Sequence, residues 1–337
     1  MKAVQISEDF GLDNLEMVQR TSPEVGPGQL KIAMRCVSLN FRDLMMIQGL
    51  YNPRQPLPLI PCSDGVGEVI AVGDGVDDDW IGRRVIPIFA QQWRSGEPTK
   101  KKLKTTLGGP LDGTLVEEMV VSSESVVEAP EHLTDAEAAT LPCAGLTAWN
   151  ALVEQGDLTS GQTLLTLGTG GVSTFAVQFG DMLGARVIVT SSSDEKLARA
   201  RSLGAAEGIN YRDDADWGKT AKAMTGGRGV DLVVEVGGAG TLEQSLRAVR
   251  IGGQISLIGV LSGGQQDLNI IPVLMRNIRI QGIIVGHREM FQRMNRAIAL
   301  HEMQPVVDRE FALDEVRRAF DCMAAGEHCG KICIHID

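Results

Sequence analysis

The sequence predicts an α/β chain of two domains, one a compact, partly open β-barrel and the other a doubly wound parallel sheet. Three observations carry this expectation. Strand-like runs without long helices between them fill the first part of the chain, strand and helix patterns alternate through the middle, and a glycine-rich turn bracketed by apolar runs opens that alternation. At 337 residues the chain has room for about two domains. The boundaries are expected to give a first domain from 1–144 with 285–337, and a second from 145–284.

In order, the first part reads as strands at 1–6, 30–39, 65–72, 84–89 and 114–121, separated by turn-rich segments such as SPEVGPG at 22–28. Residues 90–113 show no clear period and form an excursion longer than most loops, carrying Lys100, Lys101, Lys102 and Lys104; the lysines are most simply solvated. From Thr134 the pattern changes. Thr134 and Glu137 have the spacing of a capping box, and a helical run follows through 148 and on to 155.

The opening unit of the alternation is TLLTLGTGGVSTFAVQFGDMLGARVIVT, 163–190. It reads as strand, turn, helix, strand, with the turn Gly168, Thr169, Gly170, Gly171, Val172, Ser173. Gly168 permits a tight turn, and Gly170 permits a pyrophosphate to approach the positive end of the helix. Ser173 stands where the dinucleotide fingerprint has its third glycine, and a small residue there still permits close contact between helix and strand. Helices at 194–203, 217–224 and 242–249 then alternate with strands at 208–210, 230–236 and 254–260, and a further strand lies at 278–285. The tail reads as helix (288–300), strand (306–307), helix (313–325) and strand (332–336), and is expected to complete the first domain.

Composition excludes several function classes. A formal charge of -11 argues against nucleic acid or an anionic membrane as the main partner, leaving a small-molecule substrate. No apolar run approaches the ~18 residues of a spanning helix, and the N-terminus lacks the apolar core of a signal peptide, so a cytoplasmic protein is expected. Six scattered cysteines without a CxxC pair fit reduced thiols.

A set of ordered motifs covers nearly the whole chain: SLNFRDLMMIQGLY (38–51), PCSDGVGEVIAVG (61–73), LPCAGLTAW (141–149), GTGGVS (168–173), SSSDEK (191–196), INYRDD (209–214) and the terminal GKICIHI. In this set the chain resembles the medium-chain dehydrogenase/reductases, and within them the quinone oxidoreductase and zinc-type alcohol dehydrogenase-like branch. The resemblance implies a GroES-like catalytic domain, a Rossmann cofactor domain, a homodimer paired through the edge strand at 278–285, and a substrate site in the cleft between the domains. It also implies where zinc ligands stand in zinc-dependent members: a cysteine at Asn40, a His-Glu pair at Ser63 and Asp64, and a cysteine at Cys143. One soft ligand of three does not hold a catalytic zinc, and residues 90–113 lack the cysteines of a structural zinc lobe. No zinc is therefore expected.

Without a Lewis acid, the resemblance implies hydride delivery to a quinone or an α,β-unsaturated carbonyl, with a zinc-free alcohol or aldehyde dehydrogenase and a non-catalytic NADPH-binding regulator as the alternatives. The catalytic candidates carried over are Asn40, Asp43 and Tyr51. Asn40 would donate to the carbonyl and Tyr51 would donate or deliver a proton. Each also has a structural reading, Asp43 as a brace for the 42–48 turn and Tyr51 as packing beside Pro53. Met45 stands where many quinone reductases have a second tyrosine. Cys143 reads as packing near the nicotinamide, and His287 as structural or solvent-facing.

The second strand of the opening unit ends without the carboxylate that binds a ribose 2′-hydroxyl in NAD sites. Ser191 and Ser192 occupy that end, Lys196 adds charge, and the resemblance adds Tyr211, so NADPH is expected over NADH. Asp194 and Glu195 oppose this expectation if either turns toward the ribose. Further cofactor contacts implied by the resemblance are Thr147, Val236 and Gly237, then Gly259, Val260 and Leu261, and finally Val285 and Gly286.

Overall fold

The computed structural model describes residues 1–265 and 267–336. The chain forms two compact units, one from Met1 to Leu146 together with the residues from Gly286 onward, the other Thr147–Val285.

The first unit is built around strand Gln29–Ser38. Its first half alternates buried and half-buried residues, as a strand with one face on the core does, and its last three residues are buried without a break. This strand pairs antiparallel with Asp64–Val72 along one edge; along the other it pairs with Glu118–Ser122 through its first half and with Lys331–His335 through its end. The C-terminal strand, itself flanked in parallel by Val307–Ala312, therefore belongs to the sheet of the N-terminal residues. Arg84–Pro87 and Val126–Glu128 extend the sheet on the far side, and Lys2–Ile6 and Leu15–Gln19 form a separate two-stranded ladder. The core joins both ends of the chain, with Ile32, Leu39, Ile47, Phe320 and Ile334 all essentially inaccessible.

Several elements differ from the pattern in the sequence. Strand Leu15–Gln19 buries only its first residue, and Val126–Glu128 is three residues long, so neither shows a periodicity. The stretch read as a turn at 42–48 is the helix Phe41–Ile47, burying Asp43, Leu44, Met46 and Ile47. The 306–307 strand extends over Val307–Ala312, while the one at 114–121 begins only at Glu118. The 100–104 lysines sit on a short helix, Lys100–Leu103, capped by Thr99. The capping box at Thr134 and Glu137 opens helix Asp135–Ala139.

The second unit is a six-stranded parallel sheet with strands β1 (Thr163–Leu167), β2 (Arg186–Ser191), β3 (Glu207–Asn210), β4 (Val230–Glu235), β5 (Val249–Leu257) and β6 (Arg279–Gly282). Their spatial order is 3-2-1-4-5-6. β1 and β4 are buried at every residue, as strands covered on both faces must be. This order reverses between β1 and β4, the point where an open α/β sheet of this kind places its ligand crevice, beyond the carboxyl ends of the strands. β6 is shorter than the 278–285 run and lies at the sheet edge. Among the described residues, no helix is long and apolar enough to cross a membrane.

Candidate active site

At the carboxyl end of β1 the chain turns through Gly168, with φ +73, into helix Gly171–Met182. A Cβ built on Gly168 or Gly170 meets no atom within 4 Å. The turn is thus a bare backbone cradle in front of a helix N-terminus, whose first amides have no partner within the helix. These residues fit a pyrophosphate. Ser173, at the third fingerprint position, donates from Oγ to Leu167 O at 2.6 Å and ties the first helical turn to the strand. The close contact between helix and sheet falls instead on Gly180, where a Cβ would lie 2.7 Å from Val187 Cγ2 and 2.9 Å from Leu164 Cδ2.

At the end of β2, Ser191 is buried and its Oγ accepts from Ser193 N–H at 3.4 Å, while its carbonyl accepts from Tyr211 N–H at 3.0 Å. The structure thereby brings Ser191, Ser192 and Tyr211 to one strand end. Ser193 caps helix Asp194–Ser202 by accepting from Lys196 N–H at 3.4 Å. Asp194 Oδ1 accepts from Asn210 Nδ2 at 3.1 Å, so this carboxylate is engaged with the β3 end. Val236, Gly237, Gly259, Val260 and Leu261 follow β4 and β5, on the crevice side.

Sequence reasoning passed over Glu235, the last residue of β4. Its carboxylate is fully buried and accepts from Gly237 N–H (2.8 Å), Gly238 N–H (3.0 Å), Thr241 Oγ1 (2.5 Å) and Ser245 Oγ. One carboxylate thus shapes the turn that carries Val236 and Gly237. Its trace in the sequence is an acid closing an apolar strand, VDLVVE, ahead of glycines and hydroxyl residues. In the same unit Val285 has φ +28, a strained value for a β-branched residue, and Asn150 Nδ2 holds its carbonyl at 2.9 Å. Thr147 is buried in this unit and Gly286 begins the return into the other.

The catalytic candidates lie in the first unit on a buried cluster of charges. Asp43 Oδ2 accepts from Asn40 N–H at 2.8 Å, bracing helix Phe41–Ile47. Arg42 donates from Nη1 to Asp43 Oδ1 (3.2 Å) and to Leu107 O (3.1 Å), and its Cζ lies 5.0 Å from the Tyr51 ring centre and 4.9 Å from that of Phe89. Arg42 is therefore the link between Asp43 and Tyr51, and it pins the 90–113 excursion to the helix. Tyr51 is itself half exposed.

Asp64, also fully buried, accepts from Ser63 Oγ at 2.8 Å and from Cys143 N–H at 3.1 Å. Burial pushes Asp43 up to about 6, against the pull of Arg42, and burial likewise raises Asp64. The Cys143 thiol is held well above its usual range by burial and by the charge of Asp64, so it stays protonated. Cys62, just before this pair, has φ +72 and is packed so closely that a Cβ on Gly113 would lie 2.0 Å from its carbonyl oxygen. His287 accepts from Met290 N–H at 3.3 Å as a helix cap and meets Trp93 edge-on, a structural role.

The second residue missed in the sequence is Lys331. It is 3% exposed, opens the C-terminal strand, and donates from Nζ to Leu39 O (2.6 Å) and Asn40 Oδ1 (2.5 Å).

A doubly wound sheet in the 3-2-1-4-5-6 order with an open glycine cradle defines a dinucleotide-binding unit, and comparison with known proteins places it further. Residues 26–131 match the alcohol dehydrogenase GroES-like domain, and residues 171–300 match the zinc-binding dehydrogenase domain. A zinc-type alcohol dehydrogenase-like protein of Schizosaccharomyces pombe is 39% identical over all of this chain and 99% of its own length. The acryloyl-coenzyme A reductase of Metallosphaera sedula is 27% identical, covering 94% of this chain and 95% of its own. Among solved structures, a presumed alcohol dehydrogenase from Sinorhizobium meliloti 1021 superposes with a TM-score of 0.91 at 40% identity, covering 100% of this chain and 99% of that one. An NAD-dependent alcohol dehydrogenase superposes at 0.92 with 30% identity and full coverage of both chains. The chain belongs to the medium-chain dehydrogenase/reductase superfamily and is an NAD(P)-dependent oxidoreductase.

Proposed function

We propose that this oxidoreductase works without zinc and delivers hydride from NADPH to a quinone or an α,β-unsaturated carbonyl. The observation that carries the reading is the state of the positions where zinc-dependent relatives hold their metal. Asn40 Oδ1, the one oxygen that residue could offer a cation, already accepts from the Lys331 ammonium. Cys143 stays a thiol, Ser63 is a neutral hydroxyl, and both Asp64 oxygens are engaged. This donor set does not fit a catalytic zinc, which needs about three anionic or imidazole ligands with free lone pairs. Among the described residues no group of three His, Cys, Asp or Glu side chains is placed to hold a metal ion.

The dinucleotide, when bound, supplies the hydride. Gly168, Thr169, Gly170, Gly171, Val172 and Ser173 form its pyrophosphate cradle, and Ser191, Ser192, Lys196 and Tyr211 take the 2′-phosphate. Asp194 Oδ1 is already held by Asn210, which supports leaving the ribose phosphate to the hydroxyls. Thr147, Val236, Gly237, Gly259, Val260, Leu261, Val285 and Gly286 complete the cofactor contacts. On the acceptor side, Asn40 Nδ2 has no hydrogen-bond partner and stabilises the oxygen on which charge collects. Tyr51, with its ring held by Arg42, supplies the proton. Asp43 braces Asn40. The reductase of Metallosphaera sedula, named for a conjugated thioester, supports this acceptor class.

The similar NAD-dependent alcohol dehydrogenase favours a second reading, reversible alcohol oxidation. NADPH oxidation measured with 1,4-benzoquinone, 2-cyclohexenone and butanal separates the two. Turnover of the first two is expected, and turnover of butanal alone would replace the reading with the second. Less than a tenth of an equivalent of zinc is expected in purified protein. NADPH should bind roughly 100-fold more tightly than NADH, and Ser191→Asp should abolish that preference; equal affinities in the native protein would overturn the phosphate assignment.

The same reading includes a homodimer formed across β6. Beside that edge strand Ile270, Ile271, Leu274 and Met275 are 62–78% exposed, an apolar group that a second copy would cover. Sedimentation should give a dimer that Leu274→Glu dissociates. Six cysteines outside any disulfide fit a reducing cytoplasm.

A further inference from the structure

Lys331 and Asn40 are 291 positions apart in sequence, yet the fold joins them by a 2.5 Å hydrogen bond inside the first unit. An ammonium group has only protons to offer, so the Asn40 atom that faces it is the carboxamide oxygen. This decides a question that geometry alone leaves open, which end of the amide is which. The NH2 group therefore points away from Lys331. It completes no hydrogen bond: Asn40 is 8% exposed, and Nδ2 is buried without one, whereas buried polar atoms nearly always have one. Asp64 is the carboxylate on that side, and the Asn40 side chain acts on it against the burial that raises it, yet neither N–H of the amide completes a hydrogen bond to it.

We propose that Lys331 is a positioning residue which, by holding Asn40 Oδ1, fixes the carboxamide with Nδ2 free to bind the acceptor's carbonyl oxygen. This rests on the reading that hydride goes to a carbonyl-conjugated acceptor. Without the ammonium the amide can rotate and donate Nδ2 to the vacated Leu39 O, which withdraws the donor from the reacting oxygen. An anchoring role alone would be met by the bond to Leu39 O at 2.6 Å. The bond to Asn40 is the part that sets a donor's direction.

The test is a double-mutant cycle with NADPH and 2-cyclohexenone, using Lys331→Met, Asn40→Leu and both together. Each single change should lower kcat about 100-fold, the loss typical of one oxyanion donor, with the KM for enone and the Kd for NADPH within about threefold of native. The double variant should be no slower than Asn40→Leu alone. If Lys331→Met does not fold, the cycle is repeated in an Asp64→Asn background, which restores the charge balance. Losses that multiply, or a Lys331→Met protein with native kcat, overturn the positioning role while leaving the functional reading in place. A native protein that reduces neither enone nor quinone overturns both.

Discussion

Both units hold fully buried carboxylates, and Glu235 in one and the Asp43–Asp64 pair in the other are satisfied in opposite ways. In the second unit Glu235 is answered only by neutral donors, two backbone amides and two hydroxyls, all within ten residues of it. In the first, Asp43 and Asp64 lie among charges, with Arg42 in contact with Asp43 and Lys331 acting on both, drawn from positions 42 to 331. Neutral donors from the same turn make a rigid local shape. Counter-charges gathered from distant strands make a cluster whose members set one another's ionisation, and whose field any bound group must enter.

The largest effect should come from breaking the local case. Glu235→Ala leaves four donors, three of them buried, without an acceptor and should cost about 3–5 kcal/mol of unfolding free energy in urea, with Glu235→Gln in between. Because the Val236 and Gly237 turn hangs on this carboxylate, NADPH binding should weaken about tenfold in Glu235→Gln, or about 1.4 kcal/mol. Titration by nucleotide fluorescence checks this, and unchanged affinity would mean the turn keeps its shape without the charge.

The charged case is distinguished by pH. Asp43 has a folded-state pKa of about 6 against an ordinary 3.8, so the folded protein binds this proton more tightly than the unfolded chain. Stability therefore rises as pH falls from above 6 toward 4, and is lost as pH rises back through 6, by about 3 kcal/mol. Asp64 is raised as well and adds in the same direction. Asp231 and Glu118 are lowered and act with the opposite sign, below the ordinary carboxylate range. Urea unfolding at pH 7 and pH 4.5 should show native protein more stable at the lower pH, and Asp43→Asn should remove most of that difference. A native curve that falls throughout this range would show that Arg42 outweighs burial.

The same contrast explains what was legible in the sequence. The GTGGVS turn, the Thr134 capping box and the Arg288–Leu300 helix were readable because their determinants lie within one turn or one period. Asn40, Asp43 and Tyr51 came into view only through resemblance to a family, and Lys331 did not come into view at all. A lysine opening an apolar strand gives no sign that its ammonium meets a carbonyl and an amide 292 and 291 residues earlier. Glu235 was local and could have been found: an acid closing the apolar run VDLVVE, followed by two glycines and two hydroxyl residues, is the pattern of a buried carboxylate with its own donors.

The smallest effect tests the same division inside one helix. Ser173 occupies the fingerprint position but acts locally, through one hydrogen bond to Leu167 O, whereas Gly180 carries the packing against Leu164 and Val187 on two strands. Gly180→Ala should cost about 1–3 kcal/mol, because a methyl group there meets side chains that the sheet holds in place. Ser173→Gly should cost about 1 kcal/mol and leave NADPH affinity unchanged, since it restores the glycine of the fingerprint and loses only the tie to Leu167. Thermal unfolding of both variants ranks them. If Ser173→Gly proves the more damaging, the hydroxyl is the element that holds helix to strand, and the close contact at Gly180 is slack that the sheet can take up.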